Sequence, residues 1–257
     1  MLGLIPISDA NPTRRFPIVT VSLIAANVLL FLRTPGFGTS LRSAAYFIRN
    51  APLPCQLEAT CPRAVLLTSQ GPIVEVPTRG LGSFLFAVLL SAFLHAGIFH
   101  IAGNMLFLWV FGNNVEDHLG PIKFLGFYLL GAIGASFAHI AWVLIRDSGA
   151  NVPTVGASGA VAAVLGAYLV LFPRARVNVL VPIFILWTVI QMSAWAVLGL
   201  WFLYQFLIGA QEFSRGVTEV AWMAHVGGFV FGFLAILILG GRPQRPTPAA
   251  WNPGWRY

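Results

Sequence analysis

Three short stretches, "HIAGNM", "VGASGAV" and "MAHVGG", place a serine, two histidines and an asparagine inside long apolar runs. Polar and ionisable side chains at membrane depth are costly and point to function by default. A serine hydroxyl becomes a nucleophile when a base within hydrogen-bond reach takes its proton, and histidine is the usual base. Ser158 and His225 are therefore expected to form a Ser–His dyad, with no carboxylate in the neighbouring apolar runs to orient the imidazole. His100 and Asn104 are four residues apart, which puts them on one helix face. Together with the Ser158 backbone N–H they could hold the oxyanion of a tetrahedral intermediate, work worth about 3–4 kcal/mol per donor in other hydrolases. The plainer alternative for the pair is an interhelical hydrogen bond worth about 1 kcal/mol.

The elements that carry these residues are rich in small side chains. In "GASGAVAAVLGAY", Gly159/Ala163 and Ala162/Gly166 are small-xxx-small pairs, and His225 stands beside a third such pair, Gly228 and Gly232. Such pairs let two helix backbones approach closely. Helix packing alone accounts for every glycine and alanine there. Packing of these two particular helices would also bring Ser158 against His225. From Ser158 to Phe172 is 15 residues, about 22 Å of helix at about 1.5 Å per residue. A hydrocarbon core is about 30 Å thick. Either that helix starts earlier, or "SGANVPTVG" dips into the membrane and leaves Ser158 at a helix N-terminus within reach of water. Helix N-termini favour developing negative charge.

Composition fixes the class. Of the 257 residues, 58% are hydrophobic and 9% charged, far below the roughly 25% charge of soluble domains. An all-α polytopic membrane bundle of six spans is expected. Residues 1–15 form the N-terminus, and the spans fall at about 16–32, 97–115, 121–145, 156–172, 180–209 and 220–240. A long outer loop covers 33–96, with a short apolar element at 81–94, and residues 241–257 are a Pro-rich basic tail. The first span reads as an uncleaved anchor. Arg14, Arg15, Lys123, Arg174, Arg176, Arg242 and Arg245 fall on one side, which the positive-inside rule makes cytoplasmic.

The net charge of +7 comes from basic residues scattered through loops, which suits topology and anionic lipid and makes nucleic acid an unexpected partner. The only cysteines, Cys55 and Cys61, share the outer loop as a disulfide or as free thiols. No spacing of His, Cys and carboxylates offers a metal site, and no cofactor is expected.

The three blocks "HAGIFHIAGNMLFLWVFGNNVEDHLG", "GASGAVAAVLGAY" and "AHVGGFVFG" resemble, in order, the signature blocks of the rhomboid intramembrane serine proteases. The family's H-x-x-x-N falls on His100 and Asn104, its G-x-S-G on Gly156, Ser158 and Gly159, and its H-x-x-G-x-x-x-G on His225, Gly228 and Gly232. The resemblance implies the Ser158–His225 dyad and an oxyanion site of His100, Asn104 and the serine N–H. It also makes Gly156, Gly159, Gly228 and Gly232 supporting residues. His95 matches a further family histidine that supports the outer loop, and Glu116 matches a structural glutamate. Two positions depart from the pattern. "FLFAVLL", near Phe86 and Ala87, replaces an outer-loop Trp-Arg or Trp-Gln, and Ala162 replaces a Tyr that stacks on the catalytic histidine in some members.

The expected function is intramembrane serine endopeptidase action on transmembrane protein substrates within the lipid bilayer. Span five and the "AQEFSRGVTE" loop are the expected gate. The alternative is a catalytically silent rhomboid-like protein that binds membrane clients, which would ordinarily lack the serine or the histidine. A small transporter would show internal repeats or a charged path, and neither is evident in the sequence. The short chain sets the expected location as a multi-pass protein of a bacterial inner membrane.

Overall fold

The computed structural model describes residues 5–66, 73–147, 149–183, 186–215 and 221–243. The basic tail beyond residue 243 and part of the "AQEFSRGVTE" loop therefore lie outside the described residues.

The chain opens with strand β1 (Ile5–Asp9) and helix α1 (Ile18–Arg33). The segment after α1 then folds as α2 (Leu41–Asn50), the single turn α3 (Cys55–Glu58), the β2–β3 pair (Ala64–Leu66 and Ile73–Glu75) and α4 (Leu81–Ser91). Cys55 and Cys61 are joined in a disulfide with a Cα–Cα distance of 4.9 Å. A continuous helix follows, made of α5 (Ile98–Phe107), a π-helical turn (Leu108–Gly112) and α6 (Asn113–Leu119). Next come α7 (Pro121–Arg146), α8 (Ser158–Leu171), strands β4 (Arg176–Ile183) and β5 (Leu186–Ser193), α9 (Ala194–Arg215) and α10 (Trp222–Ile238).

Three of the described helical stretches are long and apolar enough to cross a membrane, Ile98–Leu119, Pro121–Arg146 and Ala194–Gln211. The helices over Ile18–Arg33, Leu81–Ser91, Ser158–Leu171 and Trp222–Ile238 are shorter and apolar.

Residues 176–183 and 186–193 correct the expected span at 180–209. They form an antiparallel hairpin, running from Arg176 opposite Ser193 to Ile183 opposite Leu186, and the helix begins only at Ala194. The stretch is rich in Val, Ile, Thr and Trp, which favour strands, and Pro182 cannot sit in a helix interior without breaking it. β1 completes a three-stranded sheet in the order β1-β4-β5, pairing Ile5 with Leu180 and Asp9 with Val177. Hydropathy alone merges the hairpin with the apolar helix that follows it.

Helix α8 is the axis of the bundle. Every residue from Gly159 to Leu171 except Leu169 is buried, as expected of a helix that is apolar all round. Against it lies α10, and the contact is backbone on backbone. A β-carbon on Gly232 would stand 1.8 Å from the Ala163 carbonyl oxygen, and one on Gly166 would stand 2.1 Å from that of Phe229. The small residues at four-residue spacing are what allow this approach.

The opposite end is tied together by polar contacts. Glu116, buried on α6, accepts the backbone N–H groups of Val19 and Thr20 at 2.8 and 2.7 Å and the Thr20 hydroxyl at 2.7 Å. A carboxylate thus satisfies the open N–H groups at the start of α1, where the helix dipole also favours negative charge. Beside it, Asp9 Oδ2 accepts from Tyr168 Oη at 2.5 Å and from Asn114 Nδ2 at 2.9 Å. Burial raises the Asp9 carboxyl from 3.8 to about 6, against the lowering effect of those two donors.

Candidate active site

Ser158 is the first residue of α8, and its placement is decided by the segment before it. Gly156 has φ +131, a conformation that side chains rarely adopt, and a β-carbon there would lie 2.8 Å from His100 Nε2. Glycine is needed both for the turn and for the approach of the histidine ring. The Gly156 N–H donates to the Ser91 carbonyl at 2.9 Å, and the Thr154 N–H to that of Pro52 at 3.2 Å. The Cys55 N–H donates to the Ala150 carbonyl at 3.0 Å. The disulfide-bridged outer segment thereby holds the strand of chain that delivers the serine.

His225 enters from α10, three residues before Gly228. A β-carbon on Gly228 would meet the Gly159 carbonyl oxygen, so His225 is carried to the first turn of α8 by the same close contact. His100 and Asn104 come from one face of α5. All four line a single cavity of about 590 Å³, together with Trp201 and Gln205 of α9. Among the described residues lining it there is no carboxylate and no lysine or arginine. Nor do the described residues contain a cluster of three or more His, Cys, Asp or Glu able to hold a metal.

The individual contacts define what each group is free to do. His225 Nδ1 lies 2.7 Å from Gln205 Oε1, which leaves Nε2 as the nitrogen available to a hydroxyl. Among the described residues no hydrogen bond yet joins that nitrogen to Ser158. Catalytic contacts in unliganded enzymes are often loose and tighten with substrate. Asn104 Nδ2 donates one hydrogen to the His100 carbonyl at 2.9 Å, and its second N–H is left for a ligand.

His95 does not line the cavity. Its ring packs edge-on against His100, with centroids 5.1 Å apart, and its Nε2 faces the Ala157 N–H at 3.5 Å. Burial, and then the neighbouring His100, lowers its pKa to about 3, so the ring is neutral. His139 of α7 also lines the cavity.

Two departures from the expected pattern find a structural answer. Ala162 is fully buried on α8, and the aromatic neighbour of His225 is Trp201 of α9, at a centroid distance of 5.9 Å. In α4, Ala87 is buried and Phe86 is 65% exposed, so the loop is anchored by packing of Phe84 and Val88 against Ile140. Trp201 and Gln205 are the site residues that sequence reasoning missed. The available signal was an aromatic and an amide at i and i+4 in an apolar helix.

The rhomboid domain family model matches residues 83–242. The chain belongs to the rhomboid family. This rhomboid is 30% identical over 149 residues to rhomboid protein 1, mitochondrial, of Saccharomyces cerevisiae, covering 58% of this chain and 40% of that protein. It is 35% identical over 98 residues to the mouse presenilin-associated rhomboid-like protein, mitochondrial, covering 38% of this chain and 26% of the relative. With RHOMBOID-like protein 12, mitochondrial, of Arabidopsis thaliana, identity is 33% over 165 residues, covering 59% and 45%. This rhomboid thus spans less than half the length of each of these relatives. All three are mitochondrial proteins by name, which overturns the expectation of a bacterial inner membrane.

Proposed function

We propose that this rhomboid is a serine endopeptidase that hydrolyses a peptide bond in or beside the transmembrane segment of membrane-protein substrates. The observation that carries the reading is the gathering of Ser158, His225, His100 and Asn104 around one cavity at the start of the buried helix α8. Its relatives' names make a mitochondrial membrane the proposed location. A bundle of six spans is part of the same proposal, with α1, the α5–α6 helix, α7, α8, α9 and α10 as the spans.

In this reading Ser158 Oγ attacks the scissile carbonyl carbon while His225 Nε2 takes its proton. The carbonyl oxygen becomes an oxyanion that accepts from the free Asn104 N–H, from His100 and from the Ser158 backbone N–H. Collapse of the intermediate expels the amine, which takes the proton from His225. Water then adds to the acyl-enzyme with His225 again as base, the Ser158 Oγ–acyl bond breaks to release the new carboxyl end, and His225 returns its proton to Oγ. A substrate helix bonds its carbonyls internally, so the scissile segment must unwind to enter. Helix α9, whose Trp201 and Gln205 line the cavity, is the proposed gate.

The test is cleavage of a single-span substrate in liposomes by wild type, Ser158→Ala and His225→Ala. Cutting by wild type alone is expected. Equal cutting by either variant excludes the dyad.

A further inference from the structure

The dyad lacks an acid behind its histidine, yet the Nδ1 edge of the imidazole is occupied. We infer that Gln205 of α9 is the positioning residue for the His225 base. Its Oε1 accepts from His225 Nδ1–H at 2.7 Å and fixes the tautomer that leaves Nε2 bare to act as the base. This inference rests on the Ser158–His225 reading proposed above.

The direction of the hydrogen bond follows from the amide's other end. Gln205 Nε2 faces the Trp201 carbonyl oxygen, at 3.5 Å, and a carbonyl can only accept. The amide nitrogen therefore belongs on that side and Oε1 on the histidine side. An acceptor opposite Nδ1 requires the proton to be on Nδ1. The reverse amide orientation would place the proton on Nε2 and leave His225 unable to take one from Ser158. Gln205 is only 4% exposed, so its amide is largely shielded from bulk solvent. Four residues earlier on the same face of α9, the Trp201 ring lies against the imidazole. One helix thus supplies both the face contact and the edge contact that hold the ring.

An uncharged orienter suits this cavity. A carboxylate here would need costly desolvation and would meet a cation only when His225 is protonated, whereas an amide holds the same N–H without that penalty. Because the orienter stands on α9, displacement of that helix also removes the contact that makes His225 a base. The other titratable groups that line the cavity with His225 are His100 of α5, His139 of α7 and Tyr204 of α9.

The experiment follows the pH dependence of kcat/KM for wild type, Gln205→Leu and Gln205→Glu in liposomes. In parallel, the rate at which a fluorophosphonate probe labels Ser158 is followed, which needs no natural substrate. Gln205→Leu is expected to lower kcat and the labelling rate about ten- to a hundredfold with KM little changed, a share of what a positioned base contributes. Gln205→Glu keeps an acceptor and adds a negative charge beside Nδ1. It should retain activity, with the acid limb moved up by about one pH unit because the charge favours the imidazolium. Wild-type rates in Gln205→Leu, or an unmoved acid limb in a folded Gln205→Glu, overturn the inference and leave the dyad standing. Absence of labelling in wild type, or cutting by Ser158→Ala, overturns the dyad and the inference with it.

Discussion

A β-carbon on Gly228 would lie 2.1 Å from the carbonyl oxygen of Gly159, so the two helices that carry His225 and Ser158 touch through their backbones at the end that bears these two residues. Gly228→Ala must push α10 away from α8 and carry His225 with it. Overpacking of this kind costs typically about 1–3 kcal/mol. The variant is expected to unfold at lower temperature in detergent and to lose proteolysis by more than its folded fraction explains. Full activity in Gly228→Ala would show that the close contact does not set the dyad.

Asn104 spends one amide hydrogen on the His100 carbonyl and keeps one for the cavity. In the proposed mechanism Asn104→Ala removes a donor needed only when the oxyanion develops. It should lower kcat about 10²–10³-fold with little effect on KM. Steady-state kinetics with a fluorogenic transmembrane substrate checks the split. A change confined to KM would place Asn104 in ground-state binding.

Glu116 receives three hydrogen bonds at the start of α1, two from backbone N–H groups and one from the Thr20 hydroxyl. Glu116→Ala leaves those donors without their acceptor. Hydrogen bonds to charged groups contribute about 1.5–3 kcal/mol, and a loss of about that size is expected. Chemical denaturation in mixed micelles measures it. Hydrogen exchange should rise first in the opening turn of α1.

Asp9 titrates at about 6 in the folded protein against 3.8 when exposed. The folded state therefore binds that proton more tightly. The stabilisation is fully present below about pH 4 and is lost as pH rises through about 6. Docking of β1 on β4 should be tighter at pH 5 than at pH 8, read as amide protection over Ile5–Asp9 after correction for intrinsic exchange. Asp9→Asn should flatten the difference, and an unaltered difference in that variant would acquit Asp9.

Much of the site could be read from the chain because its parts are local. Ser158 with its glycines, His100 with Asn104, and His225 with Gly228 and Gly232 each lie within one helix or its first turn, where spacing alone decides the shared face. Gln205 escaped notice because its meaning depends on the rotation of α9 against α10, which its apolar neighbours leave undetermined. The β4–β5 hairpin escaped for a different reason. Residues 180–193 are as apolar as a span, and hydropathy does not distinguish a strand from a helix. Asn178 and Pro182 were the local signs that a helix would not run through. The fold of the outer segment depends on long-range hydrogen bonds such as Gly156 to Ser91, which no periodicity announces.

Likeness to the family begins at residue 83, but the folding unit begins well before it. Strand β1 supplies Asp9 to Tyr168, α1 offers Val19 and Thr20 to Glu116, and Leu23 and Phe31 belong to the main core. An excised fragment starting at residue 83 would keep Ser158, His225, His100 and Asn104 in its sequence. It would also expose one edge of β4 and deprive a buried carboxylate of all three of its hydrogen-bond donors. Grafting the matched region behind an unrelated apolar helix should therefore fail unless residues 5–33 travel with it.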